Sequence, residues 1–246
     1  MKSRLDKLLV ERGLVPSRER AQALILAGKV LANEQKVMKA GTPVETDVPL
    51  RILGEQLRYV SRGGLKLERA IEHWNISVSG LACIDVGAST GGFTDCLLQH
   101  GASRVLAVDT GYGQIGLKIR NDPRVRLLEK TNARYLKQED VLQDIDLFVM
   151  DVSFISATLV LPAVVEAAFT NNRAGKMGVV LVKPQFEAGR KHVGKGGIVR
   201  DEDAQLAAVA RVRHKLLDLG ATRTDSVESP ILGAEGNREF LLLGAW

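Results

Sequence analysis

Leu5, Leu8 and Leu9 recur at helical spacing while Arg4, Lys7 and Arg12 fall on the opposite face, so the chain opens on a short amphipathic helix that Gly13 stops. Pro16 and Ser17 open a second helix, with Ala21, Leu24 and Ile25 as its apolar stripe, Arg18 and Arg20 polar, and Gly28 at its end. A short strand over 29–31, a polar turn at Asn33-Glu34 and a returning segment near Lys36 and Val37 follow, and Pro43 and Pro49 break up what comes next. Residues 55–66 read as a junction ending in Gly63-Gly64. That glycine pair is expected to adopt backbone angles other residues avoid and so set a sharp entry into a helix, whose periodicity resumes at Leu65, Leu67, Ala70 and Ile71.

From Leu81 the pattern becomes strand then helix, repeated. Apolar strands are predicted over 82–86, 104–108, 147–150, 179–182 and 240–243, with helices over 94–100, 157–169 and 203–219. Leu206, Val209, Val212, Leu216 and Leu219 are core positions of the last helix. Such alternation predicts an α/β body, Rossmann-like, with a mainly parallel sheet, helices on both faces and ligands at the carboxyl ends of the strands. The expected organisation is a small α+β domain over 1–58, a linker over 59–64 and the α/β domain over 65–246. No internal repeat or low-complexity run interrupts it.

Composition narrows the classes. Of 246 residues, 45% are hydrophobic and 26% charged, the balance of a chain that can bury a core. The net charge of +5 is uneven: residues 1–60 hold 11 basic and 7 acidic side chains, residues 61–246 hold 23 and 22. A basic head of two short helices and a hairpin region is too small for an active site but suits a surface that touches phosphates. No apolar run reaches the roughly 20 residues of a membrane span, and the N-terminus does not read as a signal peptide. Cys83 and Cys96 lack metal or disulfide spacing and are expected to be free thiols in a cytoplasmic protein. His73, His100, His192 and His214 show no ligand spacing, so no metal is expected.

The loop after the first strand of the body reads Asp85-x-Gly87-x-Ser89-Thr90-Gly91-Gly92. The dinucleotide fingerprint needs a glycine where Ser89 stands. An acidic residue at the strand end better suits a ligand with a cationic amino-acid tail, and Asp109, 24 residues after Asp85, is placed to hold ribose hydroxyls. Both features point to S-adenosylmethionine. The expected cofactor set is Asp85, Gly87, Ser89, Thr90, Gly91, Gly92, Phe93, Asp109 and Asn132. Polar residues also stand at other element ends: Asp151 after 147–150, Lys183 after four aliphatics, Glu239 before the last strand, and Lys66 beyond the glycine pair. A lysine in the position of Lys183 must reach a carboxylate or a cleft, because burying it unpaired is costly.

Two resemblances sharpen this. Arg4-Leu5-Asp6-Lys7-Leu8-Leu9, Ser17-Arg18-Glu19-Arg20-Ala21 and Ile25-Leu26-Ala27-Gly28-Lys29-Val30 resemble the RNA-binding domain named after ribosomal small-subunit protein four, which places RNA contacts on Arg4, Arg18, Arg20 and Lys29. It departs from that family at Asn33-Glu34, where Asn-Gly is common. Lys66, Asp151, Lys183 and Glu239 are similar in order and local motif to the Lys-Asp-Lys-Glu tetrad of the FtsJ-like ribose 2′-O-methyltransferases. With Tyr59-Val60-Ser61-Arg62-Gly63-Gly64-Leu65-Lys66-Leu67, Asp151-Val152-Ser153-Phe154-Ile155-Ser156 and Ser229-Pro230-Ile231-x-Gly233, the whole chain resembles the TlyA family, many of whose members carry the name haemolysin.

That resemblance implies methyl transfer from S-adenosylmethionine to a cytidine ribose 2′-hydroxyl of ribosomal RNA, with the four tetrad residues catalytic and Lys183 as base. An ordinary lysine is protonated at neutral pH, so burial and the charge of Lys66 must act against Asp151 and Glu239. Arg62 and the glycine-rich loop with Arg190 and Lys191 complete the expected RNA contacts, the loop closing on phosphates. Phe154 is open to two readings, base stacking or apolar packing. The rival classes are a membrane-lytic haemolysin, a pseudouridine-forming enzyme with the same head, and an RNA-binding protein without catalysis.

Overall fold

The computed structural model describes residues 2–53, 58–170, 173–233 and 236–246; residues 55–57 of the expected junction lie outside them. The chain divides into two compact units, Met1–Leu57 and Arg58–Trp246.

The small unit runs β1 (Lys2–Arg4), α1 (Leu5–Glu11), α2 (Arg18–Leu26), β2 (Val30–Ala32), β3 (Gln35–Lys36), β4 (Pro43–Glu45) and β5 (Leu50–Ile52). Ser17 caps α2, its Oγ accepting from the Arg20 amide at 3.2 Å. Leu5, Leu9, Val15, Ala21, Ile25 and Val30 form the core, joining the stripes read from the sequence. Strand β2 pairs with both β3 and β5, and β1 pairs with β4. The Asn33-Glu34 turn solves the missing glycine by strain: both residues sit at positive φ, 51° and 61°. Pro43, expected only as a breaker, starts a strand, where its missing N–H is tolerated on an edge.

The large unit continues with α3 (Gly63–Trp74), β6 (Ala82–Val86), α4 (Gly92–Gln99), β7 (Arg104–Val108), α5 (Leu117–Arg120), β8 (Val125–Leu128), α6 (Gln138–Val141), β9 (Leu147–Met150), α7 (Ala157–Ala168), β10 (Met177–Val182), α8 (Pro184–Glu187), α9 (Glu202–Asp218), β11 (Arg223–Glu228) and β12 (Phe240–Ala245). Its seven-stranded sheet has the order β11-β12-β10-β9-β6-β7-β8. Strands β10, β9, β6, β7 and β8 are parallel, and β12 is antiparallel to both β10 and β11. The mainly parallel α/β architecture read from the sequence is the observed one.

The period of two along each strand builds two cores. Ile84, Val86, Phe148, Met150, Val180, Val182 and Leu242 face one layer with residues of α7 and α9. Cys83, Leu147, Val149, Val179, Leu181, Leu241 and Leu243 face the other with residues of α3 and α4. Cys83 and Cys96 are free and buried, and burial pushes each thiol up to about 12.

One expectation needs a different reason. Gly63 and Gly64 do not take left-handed angles; they are helical residues of α3. Gly64 is required by contact, since a Cβ there would stand 2.5 Å from the Tyr59 Cβ. Tyr59 is only 2% exposed and donates from Oη to Glu68 at 2.8 Å, so residues 59–64 pack into the large unit.

Candidate active site

The parallel strands end on one edge of the sheet, and the loops leaving them make the site. After β6 the backbone turns at Gly87 (φ +88°), and the Gly87 and Ala88 amides donate to the Val108 carbonyl at 2.8 and 3.2 Å. A Cβ on Gly87 would lie 2.5 Å from the Asp151 carbonyl oxygen, and one on Gly92 would lie 3.1 Å from the Gly64 amide nitrogen. Glycine is therefore needed here for backbone to approach backbone. Gly91, at φ +95°, is the N-cap of α4. The Asp109 carboxylate, just past β7, accepts from the Ser89 amide at 2.8 Å and the Gly111 amide at 2.6 Å, fastening two strand-end loops together.

These loops enclose a cavity of about 260 Å³, lined by Ser61, Arg62, Gly63, Lys66, Gly87, Ala88, Ser89, Thr90, Gly92, Phe93, Asp151, Ile231, Leu232 and Gly233. Of the expected cofactor residues, Gly87, Ser89, Thr90, Gly92 and Phe93 line it directly. Asp85, Gly91, Asp109 and Asn132 lie outside the lining, and Asn132 instead caps the turn after it, accepting from the Arg134 amide at 3.1 Å. Asp85 is fully buried in β6. Its Oδ2 accepts from Thr94 Oγ1 at 2.6 Å, and its Oδ1 has no hydrogen-bond partner. Burial, with some help from Asp151 and Asp109, pushes its carboxyl up to about 7.

The four tetrad positions form two ion pairs at this edge. Lys66 Nζ donates to Glu239 Oε2 at 2.5 Å, with Lys66 9% and Glu239 2% exposed. Lys183 Nζ lies 2.5 Å from Asp151 Oδ1 and donates to Ser153 Oγ at 2.7 Å. Lys66 and Asp151, one from each pair, line the same cavity. The antiparallel register sets Val182 opposite Phe240, which puts Lys183 and Glu239 at the same sheet edge. Polar walls, a glycine-built cradle and an unpartnered buried carboxylate oxygen beneath it fit a methyl donor with a cationic amino-acid tail.

The expected RNA contacts divide. Arg4 and Arg18 are both held by Asp6, a buried carboxylate that accepts from Arg4 Nε and Nη2 and Arg18 Nη2 at 3.0 Å, and from Gln22 Nε2 at 3.1 Å. The Arg4 hydrogen bonds keep the Asp6 carboxyl well below the usual carboxylate range. Arg20 and Lys29 are exposed. Arg62 lines the cavity, and Arg190 and Lys191 are exposed on a short turn. The loop that carries them is tied down at its far end, where Asn237 accepts from the Val199 amide at 3.0 Å and donates to the Gly197 carbonyl at 2.9 Å.

The FtsJ-like methyltransferase family matches residues 59–246. This chain belongs to that family. An S4 domain matches residues 3–48. The chain is 45% identical to the 16S/23S rRNA (cytidine-2′-O)-methyltransferase TlyA of Mycobacterium tuberculosis, over 98% of this chain and 89% of the relative. It is 47% identical to a Bacillus subtilis protein provisionally named as an rRNA methyltransferase, YqxC, over 100% of this chain and 86% of the relative. A solved structure of a hemolysin-named protein from Streptococcus thermophilus superposes with a TM-score of 0.73 at 43% identity, covering 99% of this chain and 88% of that one.

Several site residues of this FtsJ-like methyltransferase were not singled out from sequence. Ser61 and the segment Ile231-Leu232-Gly233 line the cavity, and both sit inside motifs that carry the family resemblance. Ser153 and Asp6 also sit inside such motifs, but neither was given a role, because a serine in a loop and an aspartate in a basic helix look alike whether they face solvent or a partner. Among the described residues no helix is long and apolar enough to cross a membrane, and no group of three or more His, Cys, Asp or Glu is placed to hold a metal ion.

Proposed function

We propose that the protein transfers a methyl group from S-adenosylmethionine to a cytidine ribose 2′-hydroxyl of ribosomal RNA. The observation that carries this is the meeting of one lysine–carboxylate pair with the other across a glycine-cradled cavity at the sheet edge. The naming of the Mycobacterium tuberculosis relative supports the cytidine and the ribosomal substrate. The large unit, residues 58–246, is the transferase domain, and the small unit brings the RNA, through Arg4, Arg18, Arg20 and Lys29. Arg62, Arg190 and Lys191 take phosphates near the reacting sugar, and the exposed ring of Phe154 is available to a base.

Gly87, Ser89, Thr90, Gly91, Gly92 and Phe93 would hold the donor, Asp109 and Asn132 brace the loops beside it, and Asp85 lies buried beneath it. When bound, the donor supplies a methyl carbon on a positively charged sulfur, open to attack by the ribose oxygen. Lys183 is the base that takes the hydroxyl proton; Asp151 holds its amine. Lys66 is a fixed positive charge beside the reacting oxygen, held by Glu239. A 2′-hydroxyl is a poor nucleophile near neutral pH, so both the base and the charge are needed.

The test is Lys183→Ala. Methyl transfer to ribosomes from a strain lacking the enzyme is expected to fall by about 10²-fold or more, while isothermal titration gives donor affinity within about twofold of wild type. Near-normal turnover would refute the base assignment.

A further inference from the structure

Lys183 Nζ meets two groups on the loop that follows β9: it lies 2.5 Å from Asp151 Oδ1 as an ion pair in which that oxygen accepts no hydrogen bond, and among the described residues it donates its one hydrogen bond to Ser153 Oγ at 2.7 Å. From this geometry we infer that Ser153 is a positioning residue that restricts the direction of the Lys183 lone pair. The inference rests on the reading of Lys183 as the base.

A neutral primary amine carries two N–H bonds and one lone pair. The ion pair with Asp151 holds the amine in place without orienting it, so about the Cε–Nζ bond the lone pair is free to take any of three staggered corners. The hydrogen bond to Ser153 Oγ assigns one corner to an N–H and keeps the lone pair to the other two. When the amine takes the ribose proton, the lone pair becomes the third N–H bond and the O–H electron pair stays on the oxygen. The positive charge then rests on nitrogen, beside the Asp151 carboxylate and still donating to Ser153. Ser153 thus orients the base before transfer, and Asp151 stabilises its conjugate acid afterwards.

A positioning group is effective only if it is itself held, and this loop is. Phe154, the next residue, sits at φ +65°, where a bulky side chain is rare, and its ring lies 5.4 Å from that of Phe186. At the loop's end the buried Glu187 carboxylate accepts from Ser156 Oγ and from the Ala157 amide, each at 2.6 Å. Phe186 and Glu187 both belong to α8, which begins directly after Lys183. The segment bearing the base is therefore fastened through Glu187 to the loop bearing Ser153. Ser153 is exposed and contributes nothing to the core, so removing its hydroxyl leaves the fold intact.

The experiment compares Ser153→Ala, Ser153→Thr and Lys183→Ala in the full chain. It measures methyl transfer to ribosomes from a strain lacking the enzyme, donor affinity by titration, and the thermal midpoint. Ser153→Ala is expected to lower kcat by about tenfold, the order for a base held in the wrong direction. KM for ribosomes, donor affinity and thermal midpoint stay at wild-type values, and Ser153→Thr restores kcat to within about twofold. Wild-type kcat in Ser153→Ala beside an inactive Lys183→Ala overturns the positioning role alone. So does a defect confined to KM, which marks an RNA contact, or a failure of threonine to restore kcat. Wild-type turnover in Lys183→Ala overturns the base reading instead.

Discussion

Replacing Asp85 by asparagine tests how the site stores charge. In the native fold the carboxyl is pushed up to about 7 from an ordinary 3.8, chiefly by burial. A rise of roughly 3 units corresponds to ~4 kcal/mol of folding free energy. Its sign follows from which form the fold prefers. The folded state favours the protonated acid, so this stabilisation is complete below about pH 4 and is lost as pH rises through 7. Most of the loss falls in a convenient window: between pH 5 and pH 8 it amounts to roughly 2–3 kcal/mol. Asparagine does not titrate. It adds a buried N–H₂ where Oδ1 has no partner, a cost of about 1–3 kcal/mol that is the same at every pH. The diagnostic quantity is therefore how the wild-type-to-variant difference changes with pH. For a unit of this size, about 2–4 °C of Tm per kcal/mol converts the effect to roughly 5–10 °C. Calorimetry of both full chains at pH 5 and pH 8 should show wild type losing that much relative to Asp85→Asn. A Tm difference equal at both pH values within about 1 °C would show that Asp85 is not the buried acid described.

Gly87→Ala places a Cβ 2.5 Å from the Asp151 carbonyl oxygen at φ +88°, so titration with donor should give no binding heat while circular dichroism still reports a folded sheet; binding at wild-type affinity would refute the cradle. Arg20→Ala should weaken RNA binding and lower its salt slope by about 1, with no change in stability, since among the described residues the exposed Arg20 side chain makes no hydrogen bond or ion pair. Arg18→Ala should weaken RNA binding and also destabilise the small unit in denaturant titration, because it removes one of the donors on buried Asp6. Equal stability of those two variants would contradict the Asp6 hub.

The fold was legible where side chains repeat at a fixed period. The buried strands β6, β7, β9, β10 and β12 read as continuous aliphatic runs, and the alternate faces of those runs built both cores. The strands missed were those without that signal. Strand β8 is Val-Arg-Leu-Leu, four residues with a charge among them, β11 is Arg-Thr-Asp-Ser-Val-Glu on the sheet edge, where one face meets solvent, and β1, β4 and β5 have three residues each, too few for a period to show. Gly64 was marked correctly as special but for a conformational reason, whereas its cause is the Tyr59 ring, 5 residues away and invisible to local pattern. The tetrad positions were readable because a charge at the end of an aliphatic strand is costly unless something waits for it. What waited was not readable, since partners such as Glu239 for Lys66 lie 173 residues apart.

The two pairs differ in a way that separates their roles. Lys66 and Glu239 are both sealed, with side-chain exposures of 11% and 2%, so taking the charge from either leaves the other buried and uncompensated. That pair suits a permanent electrostatic fixture. Lys183 faces Asp151, whose side chain is 21% exposed, and a serine hydroxyl that accepts without carrying charge. A change in the charge of Lys183 therefore leaves behind a carboxylate less buried than Glu239, although its Oδ1 is sealed, and a neutral oxygen, a smaller electrostatic penalty. The proton-handling step belongs on the pair whose partner can be solvated, and the field that steers it belongs on the pair whose partner cannot.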